Sequence, residues 1–348
     1  MNICLLTWWG DSLTYTMARA LAHNGHQVDI LITDRERHLG NKWGNSARIR
    51  AIPGVRFLLD PSELSAPQHD LLLVQSYLRI AEHADVVRQL ASRAAALTLV
   101  SHGDLIRDWR KAIELQLVEL RVLRPHLKKL RNVAYKDGFH RWDLFGLLSR
   151  RTNIGFDVHS RFLHDPALFE KIHGLDWTPS AKRPIAINFV GSCDPSRRGG
   201  ALDRVKAYLD RSGTDGRHEG RVMWRVYSDA EPGALPESDF VDILSNSDFT
   251  LAPPGHSLIT HRPVESMLRG SIPILNACEA GIYELGLRDG ENCLLVQQDD
   301  WAAAVDRALA IPQDRVADMR ARIRDLNATR LQYGPLSSGI CTRLGARH

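Results

Sequence analysis

No stretch of this 348-residue chain is apolar for the roughly 20 residues that a bilayer-crossing helix needs. Its longest strongly apolar runs, Leu71–Val74 and Ala94–Val100, have the length of buried strands. Cysteine is scarce. Cys4, Cys193, Cys278, Cys293 and Cys341 are odd in number, widely spaced and form no C-x-x-C pair. That argues against a disulfide framework or a thiolate zinc site and fits reduced thiols. No basic prelude or small-residue cleavage site precedes the strand-like run Ile3–Thr7, so no signal peptide is expected and the chain reads as cytoplasmic. The turn after that run, Trp8-Trp9-Gly10-Asp11-Ser12, has no G-x-G-x-x-G, which removes the main support for an NAD-type oxidoreductase. No Asp-x-Asp follows a suitable strand, so neither a metal nor a cofactor is expected. A net charge of only +4 does not make the whole chain a nucleic-acid binder.

What is present is alternation. Ile3–Thr7, Val28–Ile32, Asp70–Gln75 and Ala95–Val100 read as strands. Ser12–His23 reads as a helix, with Leu13, Met17, Ala20 and Leu21 on one face and Gly25 as a left-handed cap. A leucine-rich helical segment runs from Asp104 to about Arg131 and is divided at Pro125. A second alternating set begins near Pro184 and ends in a helix over Val316–Leu331. Strand–helix–strand repetition implies right-handed crossovers and a parallel sheet. The expected fold is α/β, with two Rossmann-like doubly wound domains facing across a cleft. Residues 1–170 form the acceptor-binding domain and residues 171–348 the nucleotide-sugar domain, with the final helix a candidate to pack back on the first. The boundary falls where Pro166, Gly174, Pro179 and Pro184 cluster.

The most informative stretch is Phe249–Leu275, which reads strand, glycine loop, helix, glycine, strand. Thr260 is placed as N-cap and Pro263 falls in the first turn, where its missing N–H costs nothing. Arg262 and Glu265, three apart, share a helix face. Ligands of open α/β sheets bind outside the carboxyl ends of the strands, and the loop Pro253–Ser257, with Pro254, Gly255, His256 and Ser257, lies at such an end. Backbone N–H groups and the guanidinium of Arg262 suit a diphosphate, and Glu265 suits two ribose hydroxyls. The alternative is that Arg262 and Glu265 pair on a helix surface.

The pattern apolar-x-x-Pro-Gly, Arg-x-x-Glu, then Gly-x-Ile-Pro, carried here by Pro254, Gly255, Arg262, Glu265, Gly270, Ile272 and Pro273, resembles the donor-site signature of GT-B glycosyltransferases, and most closely the exostosin-like family. The resemblance is specific over about 27 residues. It implies that Glu265 contacts the donor ribose and Arg262 the donor phosphates. Many retaining GT-B enzymes carry a second glutamate eight residues earlier; here that position is Ser257, which favours the inverting pattern. Ile185–Val190 leads into Gly191-Ser-Cys-Asp-Pro-Ser-Arg-Arg-Gly-Gly200, similar to the loop that opens many GT-B donor domains. Gly191 would allow close backbone approach, and Arg197 or Arg198 would reach the diphosphate; the alternative is a solvent loop. Tyr227 is placed near the nucleotide base.

An inverting transfer needs a general base. Asp11, after the first strand, and His102, in Ser101-His102-Gly103-Asp104, are the candidates, and Asp11 is equally an N-cap. Trp8, Trp9 and Asp104 complete an acceptor side, with the tryptophans either stacking on a sugar or filling the core. The expected function is transfer of a sugar from a nucleotide diphosphate sugar to a saccharide or lipid-linked acceptor, in bacterial surface polysaccharide or glycolipid assembly. A non-catalytic sugar-nucleotide-binding protein is the alternative. Finally, Arg107–Arg151 holds twelve Lys/Arg against five Asp/Glu, an excess of seven in a chain whose total excess is four. It is either a solvated face or a contact for an anionic membrane surface or a lipid-diphosphate-linked acceptor. No aromatic interleaving supports nucleic acid. Oligomeric state is not addressed by these patterns.

Overall fold

The computed structural model describes residues 1–8, 10–40, 52–64, 67–76, 80–101, 109–135, 144–154, 162, 165–192, 200–213, 221–227, 235–255 and 260–346. The chain forms two compact units, Met1–Gly155 with Gly334–His348, and Phe156–Tyr333.

In the first unit, β1 (Asn2–Thr7), β2 (Gln27–Ile32), β3 (Val55–Leu58), β4 (His69–Ser76), β5 (Ala94–Ser101), β6 (Leu130–Tyr135) and β7 (Arg150–Asn153) build a seven-stranded sheet in the order β3-β2-β1-β4-β5-β6-β7. Every pairing is parallel. The crossovers carry α1 (Ser12–His23), α2 (Arg35–Gly40), α3 (Ala84–Arg93) and α4 (Trp109–Leu123). Strands β1 and β4 are near-continuous Ile/Leu/Val because both faces are covered. The order reverses between β1 and β4, which makes that pair the topological switch point.

The second unit holds β8 (Ile185–Ser192), β9 (Val222–Tyr227), β10 (Ser247–Leu251), β11 (Ile272–Asn276) and β12 (Leu294–Val296), all parallel, in the order β12-β11-β10-β8-β9. Around it lie α5 (Pro166–His173), α6 (Gly200–Gly213), α7 (Glu237–Ser245), α8 (Arg262–Leu268), α9 (Ala277–Ala280), α10 (Trp301–Ala310) and α11 (Gln313–Leu326). Here the order reverses between β8 and β10. Phe162, upstream of the expected boundary at residue 170, belongs with Ile172 to this unit's core.

The expected single helix Val316–Leu331 is instead α11, a π turn at Asn327–Leu331, and a further helix, α12 (Tyr333–Leu344). α12 carries Gly334 and Gly339 and has poor intrinsic propensity. Packing holds it: Leu336, Ile340, Cys341 and Leu344 join the first unit's core with Ile3, Leu5, Val28 and Leu73. Thr98 Oγ1 donates to Leu344 O (2.8 Å), and the Arg343 carbonyl accepts from Thr152 Oγ1 (2.7 Å) and from Asn132.

Three arginines close the amino end of the second sheet. Arg183, Arg269 and Arg320 are all buried. Arg183 donates to Ser247 O (2.6 Å), Leu244 O (3.3 Å) and Arg269 O (3.0 Å). Arg269 donates to Lys171 O (2.7 Å) and Gly174 O (2.8 Å), and Arg320 to Gly270 O (2.7 Å). Apart from Ser247 O, on the first residue of β10, these are carbonyls at the C-terminal ends of α5, α7 and α8, where unpaired acceptors and the negative end of each helix dipole both favour a cation. Asp248, 1% exposed, is the buried acid among them and pairs with Arg320 at 2.7 Å. Burial, with Arg320 and Arg269 close by and only partly offset by Asp248, pushes Arg183 down to about 9.

Candidate functional site

The donor motif sits where the second unit's strand order reverses. β10 ends at Leu251, and the loop through Pro254 and the buried Gly255 leads towards α8. Thr260 does not cap that helix. The helix starts at Arg262 with His261 as N-cap and no side-chain capping bond. Thr260 is instead pinned through its backbone: its N–H donates to the Tyr283 hydroxyl oxygen (2.8 Å), and that hydroxyl donates to Thr260 O (2.8 Å). One amphoteric side chain thus fixes the approach to α8. Pro263 is in the first turn, as its missing donor allows.

Arg262 lies across the switch point. Its Nη2 donates to Val190 O on β8 (2.8 Å) and its Nη1 reaches Leu251 O on β10 (3.4 Å). The guanidinium carbon stands 4.6 Å from the centroid of the Phe189 ring, a cation–π contact. Gly191 follows directly on β8. A Cβ there would overlap the Arg262 guanidinium. In this structure the close approach that residue 191 permits is to Arg262. Glu265, one turn on, is 3% exposed, and its N–H donates to His261 O (3.0 Å). Tyr227 is the last residue of β9 and pairs with Ser192. Arg197, Arg198, His256 and Ser257 lie outside the described residues.

A carboxyl group that the sequence reading did not single out lies at the same edge. Glu279, on α9 three residues beyond the end of β11, is 1% exposed and accepts from Asn276 Nδ2 (2.9 Å). Burial, opposed by that hydrogen bond and assisted by Asp299, pushes its carboxyl up to about 7. The neighbouring loop holds Gln298 and Asp299 at φ of 49° and 59°, left-handed conformations that non-glycine residues rarely adopt. Arg204 pairs with Asp299, and Trp301 Nε1 donates to it (2.8 Å), which holds that loop in place. Between about 4.5, the ordinary value, and about 7, the native state binds more protons at Glu279 than the unfolded chain does. Stability of the second unit should therefore fall by roughly 3 kcal/mol as pH rises through that window. Glu279→Gln keeps an acceptor for Asn276 at every pH and should flatten the slope. Denaturant midpoints measured across the window check this, and an unchanged slope in the variant would remove Glu279 as the titrating group.

At the first unit's switch point the geometry places Asp11 and Trp8. Asp11 is the N-cap of α1. Its Oδ1 accepts from the Thr14 N–H (2.8 Å), and the Thr14 hydroxyl lies 3.4 Å from the Asp11 N–H in return, a capping box. Gln75, buried on β4, donates to both Asp11 oxygens (3.3 and 3.2 Å), so the carboxylate ties the start of α1 to β4. Trp8 is a core residue, 1% exposed and stacked on His83 at 4.7 Å. A ring so covered offers no face to a sugar, because stacking needs an accessible π surface. Trp9, His102 and Asp104 lie outside the described residues. Among the described residues no cluster of His, Cys, Asp or Glu is arranged to hold a metal ion, and no helix is long and apolar enough to cross a membrane.

No protein-family model and no curated protein matches the sequence. Solved structures do match across the whole chain. The N-terminal domain of Candida albicans trehalose-6-phosphate phosphatase superposes with a TM-score of 0.60 at 12% identity, over 100% of this chain and 97% of that one. Sucrose-phosphate synthase of Thermosynechococcus elongatus gives 0.58 at 15% identity, over 99% and 97%. HepE of Anabaena, solved with UDP, gives 0.55 at 13% identity, over 100% of both chains. With two parallel α/β sheets, this is the GT-B fold.

Proposed function

Given a GT-B fold whose second unit carries Arg262 and Glu265 at its switch point, we propose that this protein is a glycosyltransferase using a nucleotide diphosphate sugar. The observation that carries the proposal is the Arg262 guanidinium laid across the carboxyl ends of β8 and β10. That is the crevice in which open α/β sheets bind nucleotides. Of the structural neighbours, HepE is described in complex with UDP and with UDP-glucose, which makes uridine donors the first to test.

In this reading Arg262 places fixed positive charge beside the diphosphate, and Glu265 accepts from the ribose hydroxyls. The acceptor is a saccharide or lipid-linked hydroxyl. Its oxygen attacks the anomeric carbon as the bond from that carbon to the diphosphate oxygen breaks. The nucleoside diphosphate leaves, and the hydroxyl proton passes to a base. Inversion follows from this single displacement and accords with Ser257 where retaining relatives carry an acid. The base is Asp11 or His102. Both Asp11 oxygens already accept from Gln75, and Oδ1 from Thr14 as well, so a proton taken up at Asp11 would displace the Gln75 contact. A preorganised cation stabilises the leaving diphosphate without a metal ion.

The test is a panel of UDP-, GDP-, dTDP- and CMP-linked sugars read by thermal shift and by release of the nucleotide. A bound donor at a hundred times its dissociation constant should stabilise the fold by about 2.7 kcal/mol. If no nucleotide sugar binds, the proposal fails; if one binds but is never turned over with any acceptor, the protein is a binding partner and not an enzyme.

A further inference from the structure

We infer that the α4 face of the first unit docks on a membrane surface bearing anionic headgroups. On α4, Arg110, Glu114, Leu117 and Arg121, followed by Arg124 just beyond its end, are exposed at spacings of four, three, four and three, so they form one stripe. Lys128, Arg131 and Arg150 extend the exposed positive charge onto the 3-10 turn Arg124–Lys129 and the strands β6 and β7. Elsewhere several exposed cations are matched with acids, among them Arg307 with Asp289 (2.8 Å), Lys206 with Asp210 (2.7 Å), and Arg322 with Glu291 (2.9 Å). Arg121, Arg124, Lys128, Arg131 and Arg150 have no ion pair or hydrogen bond among the described residues. The only exposed acid in the stripe is Glu114.

The local field is positive from within as well. His126, in the same 3-10 turn, is pushed below the ordinary histidine range by partial burial and by the nearby Lys129 and Arg88. Lys129 itself is spent on the C-terminal carbonyls of α3, Ala91 O (2.9 Å) and Ser92 O (3.0 Å).

Charge alone would suit any polyanion. The apolar residues select the partner. Leu148 and Leu117, 54% and 51% exposed, are the two most exposed large apolar side chains among the described residues. Both flank one contact: Leu144 N–H donates to Gln116 Oε1 at 2.6 Å, with Leu117 next along α4 and Leu148 four residues along the chain. A soluble acidic polymer would leave these leucines in water. A bilayer interface rewards lysine and arginine at the headgroups and leucine just beneath them. This surface is independent of the donor site, so it stands or falls separately from the proposed activity.

The experiment is co-sedimentation of the full chain with vesicles of phosphatidylcholine alone and of phosphatidylcholine with phosphatidylglycerol, at low and high salt. Binding is expected to the anionic vesicles, weakened by salt. At about fivefold per cation, Arg121→Gln with Arg124→Gln and Lys128→Gln should lower vesicle affinity on the order of a hundredfold. Leu117→Ser with Leu148→Ser should lower vesicle binding but leave retention on heparin unchanged. Thermal unfolding of each variant controls for folding. Equal binding to both vesicle types, an unaffected triple variant, or capture by heparin with no vesicle binding would each overturn the inference.

Discussion

Glu265→Ala should weaken binding of the nucleotide donor on the order of a hundredfold, since a hydrogen bond to a charged group contributes about 1.5–3 kcal/mol and the variant removes the acceptor of one or two. The carboxylate is 3% exposed, so truncation also disturbs packing, and affinity alone does not separate the two effects. Discrimination does. The wild-type protein should prefer a ribonucleotide over its 2′-deoxy counterpart, because the missing hydroxyl leaves Glu265 short of a donor. Glu265→Ala should lose that preference together with the affinity, and Glu265→Gln, which keeps the length and one acceptor, should lie between. Competition calorimetry with UDP and 2′-deoxy-UDP reads both quantities. An alanine variant that kept wild-type affinity and preference would remove Glu265 from the ribose site and leave the Arg-x-x-Glu spacing as a structural feature.

Asp248→Ala should destabilise the second unit by about 3–5 kcal/mol, the usual cost of leaving a buried charge uncompensated. Arg320 loses the 2.7 Å partner of its Nη2, and the side chains of the two residues are only 7% and 2% exposed. Gln313 loses a contact to the same carboxylate at 3.2 Å. Arg183, already pushed down to about 9, loses the one acid that raises it. For a unit of this size the change amounts to a fall of roughly 6–20 °C in unfolding temperature. Scanning calorimetry should show it confined to one of two transitions, as expected for a chain of two compact units. Pairing Asp248→Leu with Arg320→Met removes both charges and should recover much of the loss. If the single variant melts with the wild type, the arginine cluster is held by its carbonyls alone.

Local periodicity made some elements readable to the residue. Ser12–His23 and Trp301–Ala310 have a clear apolar stripe and an aspartate N-cap, Asp11 and Asp300, so pattern and end signal agree. β6 escaped because Leu127 and Leu130 continue the three-and-four spacing of α4, and only Pro125 hints that the helix has ended. β7, Arg150-Arg151-Thr152-Asn153, is a four-residue edge strand with two charged positions and no alternation to detect. At the site, Arg262 and Glu265 were legible from spacing, since the strand–loop–helix frame fixes where they fall. Their surroundings were not. That Gly191 makes room for Arg262, that Trp8 is walled in by His83, and that Glu279 is buried all depend on neighbours distant in sequence. Ala-Cys-Glu-Ala, read alone, is an unremarkable surface turn. The arginine cluster was invisible for the same reason: residues 183, 269 and 320 look like ordinary solvated cations until the helix ends that they serve are brought together.

The return of α12 to the first core fixes an order of events during synthesis. Leu336, Ile340, Cys341, Leu344 and Ala346 complete a core whose other members lie before residue 155. The amino-terminal unit therefore emerges from the ribosome first but closes last, holding open an apolar seam on its sheet while some 178 intervening residues, Phe156–Tyr333, are made and fold. While that seam stays open the first unit offers chaperones and proteases an unfinished core, and shortening the chain by its last dozen residues would strike the fold at its opposite end.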